Sequence, residues 1–436
     1  MSVLMLELNE VNFDQVREYA DRGKLPTLGK MIAEHGVTET VSETRYDELE
    51  PWIQWVTAHT GLSFAEHGVF RLGDAVGKDL RQIWETLENQ GLKVGAISPM
   101  NAPNRCRDAA FFVPDPWTPT RVTGSPVLTR LYDAIAQAVN DNAQSRLTPS
   151  SAAWLLAGMG TYARPANYGV YLSLLASAAR RRPWARALVL DQLLADVFLG
   201  EVKRKRPDFA SLFLNAAAHI QHHYLFNSAV YSGPHSNPDW YVPKNADPVL
   251  EVYELYDRIV GQVRNLFPEA RLLLATGLHQ DPHPEVTFYW RLNDHAAFLR
   301  KVGVPMERVE PRMSRDFVVY CTDADQALAA QRRLEAIKTK DGVPLFEVDN
   351  RGNDLFVVLT WPNDIGEGFE YRVDNVPHAD LRSEVSFVAI KNGGHNGIGY
   401  MLDTGSPKAT PERIPLSDIP RLIANACNVQ WTAAAH

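Results

Sequence analysis

Cysteine is nearly absent. Cys106, Cys321 and Cys427 are the only three in 436 residues, an odd number with no metal-ligand spacing. That excludes a disulfide framework and a thiolate metal site, and it suits a reducing compartment. No apolar run is long enough to span a bilayer. A basic surplus is missing too: the formal net charge is −8, whereas a nucleic-acid binder would carry a basic face. The runs Arg180–Arg182 and Lys203–Arg206 are local exceptions that abut apolar stretches and read as solvated helix ends. The first residues, Met1-Ser-Val-Leu-Met-Leu-Glu-Leu, lack a positive leader region and a cleavage site. Repeats and low-complexity tracts are also absent. These absences predict a soluble, cytoplasmic protein with no nucleic acid and no membrane as partner, and they leave the oligomeric state open.

What is present is an α/β pattern. Hydrophobic residues make up 45% of the chain, enough for one extended domain with a satellite or for two sharing a core. Val3 to Leu8 reads as a buried strand, Asp14 to His35 as a helix broken around Gly23 to Pro26, and Gly36 to Ser42 as the next strand. The spacing turns helical from Pro51 to Gly61 and amphipathic from Asp79 to Gln90, with Gly91 as C-cap, before a strand at Lys93 to Ile97. Residues from about 114 to 182 show no strand pattern and read as a helical insertion. Arg186 to Val202 and Leu250 to Leu266 are helices feeding the strands Phe209 to Leu214 and Arg271 to Ala275. Strand–helix alternation of this kind implies a mostly parallel, doubly wound sheet whose ligands collect beyond the strands' carboxyl ends, after Leu8, Leu214, Ala275 and Ile390. A small α+β cap is expected over 288–384, with Asp316–Tyr320 a strand, Ala324–Ile337 a helix, and Leu345–Leu359 two strands turning at Asn350–Asn353. The core then runs over 1–287 and resumes over 385–436.

Three kinds of side chain carry candidate chemistry. His219, His222 and His223 stand at i, i+3 and i+4, so on a helix they share a face and either chelate a divalent ion or serve as hydrogen-bonded loop or core histidines. His279 and His395 lie in strand-end loops. Imidazoles suit zinc, manganese, iron or cobalt, whereas calcium and magnesium prefer oxygen. Glu50, between acidic residues and the apolar Pro51-Trp52, is either a helix-capping acid or a metal ligand or base. Arg312 and Arg315 either hold a phosphate, sulfate or carboxylate, or form ordinary salt bridges.

Taken together, Thr57-Ala58-His59-Thr60-Gly61, His67-Gly68, His219 and Gly393-Gly394-His395-Asn396-Gly397 follow the order and approximate spacing of one large group of metal-dependent hydrolases. The chain resembles the alkaline phosphatase superfamily, particularly its type I phosphodiesterase and nucleotide pyrophosphatase branch, from residue 1 to about 283 and from about 385 to 405. The resemblance implies a metal ligand at Asn9, where the family has Asp, and at Asn215 with His219 four residues on, again with Asn for Asp. It places a further ligand at His395, and another near His279, whose partner Asp is missing. The family nucleophile, a Thr, Ser or Cys about ten residues before Gly61, falls on Pro51 with Glu50 beside it.

The resulting expectation is one or two divalent transition ions (zinc, manganese or iron) held among Asn9, Glu50, Asn215, His219, His223, His279 and His395. Glu50 is the catalytic candidate, and Arg312 and Arg315 are the substrate-binding candidates. The expected activity is hydrolysis or transfer of the phosphate or sulfate group of a small-molecule substrate without the usual nucleophile. The alternatives are an inactive homologue that binds a metabolite or partner, and a repurposed His/carboxylate centre with other chemistry.

Overall fold

The structure is a computed structural model that describes residues 2–45, 48–140, 148–180, 182–312, 315–374, 376–406 and 413–431. They fall into two compact units, one built from residues up to 282 and from 393 onward, the other from 283 to 392. All three cysteines are free.

The first unit is a mixed α/β body around one eight-stranded sheet. Its strands are β1 Val3–Leu8, β2 Thr38–Val41, β3 Val94–Ile97, β4 Phe111–Val113, β5 Phe209–Leu214, β6 Arg271–Ala275, β7 Ile398–Asp403 and β8 Arg413–Pro415. The spatial order is β8-β2-β7-β6-β1-β5-β3-β4. β1 lies between β5 and β6, parallel to both, and all six of its residues are buried, which is why it reads as an unbroken apolar run. The one charged member, Glu7, meets His59 at 3.3 Å inside the core. Only β7 runs against its neighbours β2 and β6.

Register decides where the site lies. Leu8 pairs with Leu214, and Glu7 with Ala275, so the residues after β1, β5 and β6 emerge together at one edge of the sheet. Because β7 is antiparallel, with Met401 opposite Ala275, Gly393 to Asn396, the last residues of the strand Val385–Asn396 that precedes it, reach that same edge.

Four helices bear on this edge: α1 Pro51–Thr60, α2 Ala185–Lys205, α3 Ala216–Tyr224 and α4 Pro248–Leu266. Pro51 opens α1 at the one position where its missing N–H costs nothing, and Gly61 closes it in the left-handed region at φ 73°. The helix expected from Asp79 begins only at Ile83, because Gln82 and Glu85 form a capping box that fixes its start there. The stretch expected to be helical contains Pro126–Asn140, Pro149–Tyr162 and Tyr168–Ala179.

In the second unit, strands Phe346–Asn350 and Asp354–Leu359 pair antiparallel across the turn after Asn350 and continue through Asp316–Tyr320 to Arg308–Pro311. Helices His295–Lys301 and Ala324–Glu335 accompany this sheet. Arg312 is paired with Glu310 at 3.0 Å, and the Arg315 guanidinium sits 4.1 Å from the Tyr289 ring centroid. Met313 and Ser314, between them, lie outside the described residues.

Candidate metal centre

β1 ends at Leu8, and the chain turns sharply through Asn9 and Glu10. Glu10 adopts φ +60°, a left-handed conformation that costs a residue with a β-carbon roughly 1–2 kcal/mol and persists only where its surroundings fix it. They do so here from three sides. Glu10 N–H donates to the Thr276 carbonyl at 3.1 Å, and the Glu10 carbonyl accepts from Gln221 Nε2 at 2.8 Å. Gln280 Nε2 donates to the Glu10 carboxylate and to the Ala218 carbonyl. Gln221 is itself set by the Tyr253 hydroxyl at 2.7 Å.

The carboxylate so placed meets two imidazoles. Glu10 Oε2 lies 3.2 Å from His222 Nε2 and 3.2 Å from His395 Nε2, and the two nitrogens lie 3.2 Å from each other. Burial alone would favour the neutral acid, but His395 and His222 outweigh it and hold the Glu10 carboxyl well below the usual range. Hydrogen bonds alone do not satisfy this triangle. If both imidazoles donate to Oε2, their N–H groups crowd each other; if one donates to the other, neither Nε2 directs an N–H at the carboxylate. A cation at the centre resolves the conflict, since all three lone pairs then point at it. The dimensions agree: tetrahedral bonds of about 2.0–2.1 Å put neighbouring donors about 3.3 Å apart. Among the described residues, Glu10, His222 and His395 are the one group of three or more His, Cys, Asp or Glu side chains whose donor atoms converge this closely. The residues present therefore fit a divalent transition ion.

Each ligand rests on a distinct element. His222 sits on α3, whose first N–H groups, those of Asn215 and Ala216, donate to the buried Asp191 carboxylate of α2 at 3.4 and 2.8 Å. Tyr256 of α4 donates to the same oxygen as Ala216, at 2.6 Å, and burial raises the Asp191 carboxyl to about 6. His395 follows Gly393, where a side chain would strike the Gln280 amide and the Gln221 carbonyl, so glycine is demanded by the packing around Glu10. Behind His395, its Nδ1 faces Glu50 Oε2 at 3.7 Å. Glu50 makes no side-chain capping bond to α1.

The other sequence candidates are disposed differently. Asn9 is buried and its amide is fully committed: Oδ1 accepts from Trp55 Nε1 at 2.7 Å, while Nδ2 donates to Asn215 Oδ1 at 2.8 Å and to Glu10 Oε1 at 3.3 Å. His219 is exposed and packs its ring against His223, 4.9 Å between centroids; neither joins the triangle. His279 Nδ1 donates to the Ile398 carbonyl at 2.5 Å, and its Nε2 meets Asp281 at 3.1 Å, a contact that holds the Asp281 carboxyl below its usual value.

Neither hydroxyl of α1 is set up as a nucleophile. Thr60 is buried and donates to the Val56 carbonyl at 2.7 Å. Buried Thr57 lies 3.2 Å from His67 Nε2, but His67 Nδ1 accepts the Val69 N–H, so Nε2 carries the proton and His67 cannot act as a base toward Thr57.

Sequence reasoning thus missed Glu10 and the place of His222. The signal was faint but present: Glu10 adjoins the Asn at the family's Asp position, and His222 belongs to the same histidine run as His219.

No protein-family profile matches the sequence, and no curated protein matches it. Among solved structures, phosphonoacetate hydrolase from Sinorhizobium meliloti aligns over 98% of this chain and 96% of its own, with 14% identity and a TM-score of 0.43. Human ectonucleotide pyrophosphatase/phosphodiesterase 5 aligns over 100% and 96%, with 11% identity and a TM-score of 0.46. Alkaline phosphatase from the Antarctic bacterium TAB5 aligns over 99% and 98%, with 8% identity and a TM-score of 0.41. Likenesses this distant say nothing about activity.

Proposed function

We propose that the protein is a metal-dependent enzyme that hydrolyses or transfers the phosphate or sulfate group of a small molecule, with Glu10, His222 and His395 holding one divalent transition ion. The observation that carries the reading is the triangle of three donor atoms, each 3.2 Å from the other two. The family-like motifs around His395 and Thr60-Gly61 supply the reaction class. When bound, such an ion supplies Lewis-acid polarisation of an oxygen and makes a coordinated water more acidic.

The chain's own residues do the rest. Glu50, with about a third of its side chain exposed, orients His395 and accepts a proton from water or an acceptor hydroxyl. Pro51 at the start of α1 leaves no hydroxyl to esterify, so the group passes directly to the acceptor without a phospho- or sulfo-enzyme. Gln280 and Gln221 keep Glu10 in its strained pose.

One observation favours a second reading. Two imidazoles and one carboxylate are also the donor set of iron(II) centres with open positions, which suits oxidative chemistry.

One experiment separates these possibilities. Protein purified without chelator is analysed for metals and assayed on a panel of phosphate monoesters, phosphodiesters and sulfate esters, beside Glu10→Gln. One equivalent of zinc or manganese with ester turnover that Glu10→Gln abolishes supports the proposal. Iron with oxygen consumption moves it to the second reading. Absence of both metal and turnover identifies a binding protein and overturns it.

A further inference from the structure

The helices Pro149–Tyr162 and Tyr168–Ala179 contain no charged residue. Their inner faces pack on the large core through Leu155, Met159, Val170, Tyr171 and Leu174. Their outer faces are apolar as well: Leu156 and Leu172 are each 70% exposed, Tyr168 52%, Leu175 47% and Trp154 37%. A helix that is apolar all round belongs in a protein core or a membrane, and an apolar patch of this kind marks a docking surface.

The charge pattern identifies the occupant. From Asn142 to Leu190 the chain has no Asp, Glu or Lys and six Arg, namely Arg146, Arg164, Arg180, Arg181, Arg182 and Arg186, a balance of +6. The whole chain carries −8, so everything outside this segment carries −8 − 6 = −14. Arg180, at the end of the second helix, and Arg186, just beyond it, are exposed. Arg182 is tied to Glu251 at 3.0 Å and Arg164 to Gln262 at 3.2 Å.

We propose that this helical pair is a docking face for an anionic lipid surface, into which Trp154, Leu156, Tyr168, Leu172 and Leu175 insert while Arg180 and Arg186 contact the headgroups. Aromatic rings and snorkelling arginines beside an apolar face are what the headgroup boundary accommodates. The helices have 14 and 12 residues, about 21 and 18 Å at 1.5 Å per residue against a hydrocarbon core of about 30 Å, so they lie in the interface and do not cross it. No helix among the described residues is long and apolar enough to cross a membrane. A second copy of the chain is a poor occupant, because a two-fold contact through this face would bring the two arginine sets together. The proposal replaces the expectation of no membrane partner, and it is independent of the chemistry assigned to Glu10, His222 and His395.

The test is co-sedimentation of the full chain with vesicles of phosphatidylcholine alone and of phosphatidylcholine with about a third phosphatidylglycerol. Partitioning is expected to be roughly tenfold or more stronger on the anionic vesicles and to fall with added salt. Leu156→Glu with Leu172→Glu, both at exposed positions, should lower binding by about tenfold or more with an unchanged circular dichroism spectrum. Arg180→Glu with Arg186→Glu should remove the preference for anionic lipid. Vesicle binding that is absent, or unaltered by the leucine pair, overturns the proposal. So does a vesicle-free dimer that Leu156→Glu dissociates, since that outcome assigns the face to a second copy.

Discussion

Asn9 and Glu10 are neighbours at the end of one strand, yet they head two different groups. Glu10, His222 and His395 bring three donor atoms to one point, where two imidazole N–H groups on one carboxylate oxygen would crowd each other. Asn9, Asn215 and Trp55 form a closed relay in which each amide group already has a protein partner. The first group has the donors that a cation would complete, and the second needs none. A carboxylate brings charge without a donor, so it depends on something positive; an amide brings both donor and acceptor, so it pairs with its own kind. At Asn9 and Asn215 the chain has a hydrogen-bonded amide pair. The acid of this strand end, Glu10, stands one residue further along, in a backbone pose that its neighbours sustain.

The comparison breaks most directly at the histidines. His222→Ala and His395→Ala should each reduce bound metal to below a tenth of an equivalent by elemental analysis, with little change in secondary structure, because both side chains are only partly buried and carry little of the core's burial. Next in size is Asn9→Asp, which converts the closed relay into a second acidic group. Without added metal a carboxylate facing Asn215 Oδ1 and Glu10 should cost about 3 kcal/mol of stability by urea unfolding. Added zinc or manganese should restore more stability than it gives the parent protein. An Asn9→Asp variant as stable as the parent without metal would show that the amide relay is not what occupies this position.

Asp191 tests the support of α3. Burial lifts its carboxyl to about 6 in the folded chain, above the unfolded value of about 4, so the folded state holds the proton more tightly. Its stabilising contribution is complete below about pH 4 and is lost as pH rises to about 6. The stability difference between parent and Asp191→Asn should shift against the parent by about 2–3 kcal/mol across that window in urea titrations. An unchanged difference would place the carboxylate elsewhere.

Glu50→Gln keeps the shape beside His395 and removes the charge, and should weaken metal affinity by about 10–100-fold in chelator competition. The smallest effect belongs to His219→Ala, which should leave metal content and melting temperature unaltered. If it lost metal as His222→Ala does, the donor set would have to be redrawn.

Much of the scaffold was legible because it depends on local pattern. The strands Phe209–Leu214, Arg271–Ala275 and Asp316–Tyr320 are short apolar runs bounded by polar residues, and their limits coincide with the expected ones. The expected turn after Asn350 also joins antiparallel strands. Boundaries were misplaced where a side-chain cap decided them, as at Gln82 and Glu85. The outward face of Pro149–Tyr162 and Tyr168–Ala179 was hidden for a related reason: composition shows that these helices are apolar, but not which of their sides lacks a partner.

By itself, then, the sequence determined the alternation of strands and helices and the want of paired cysteines, since these follow from residue type and period; His279 and His395, expected in loops, stand instead on the strands His279–Leu292 and Val385–Asn396. Only the tertiary structure decided which histidine of the run His219-Ile220-Gln221-His222-His223 faces His395, because that depends on the rotation of α3 set by Asp191 and Tyr256. It also decided that the acid is Glu10 and not a residue at the family position. One residue of shift reverses which side of the strand end a side chain faces, and the contacts that hold Glu10 at positive φ come from Gln221, Thr276 and Gln280, more than two hundred residues away in the chain.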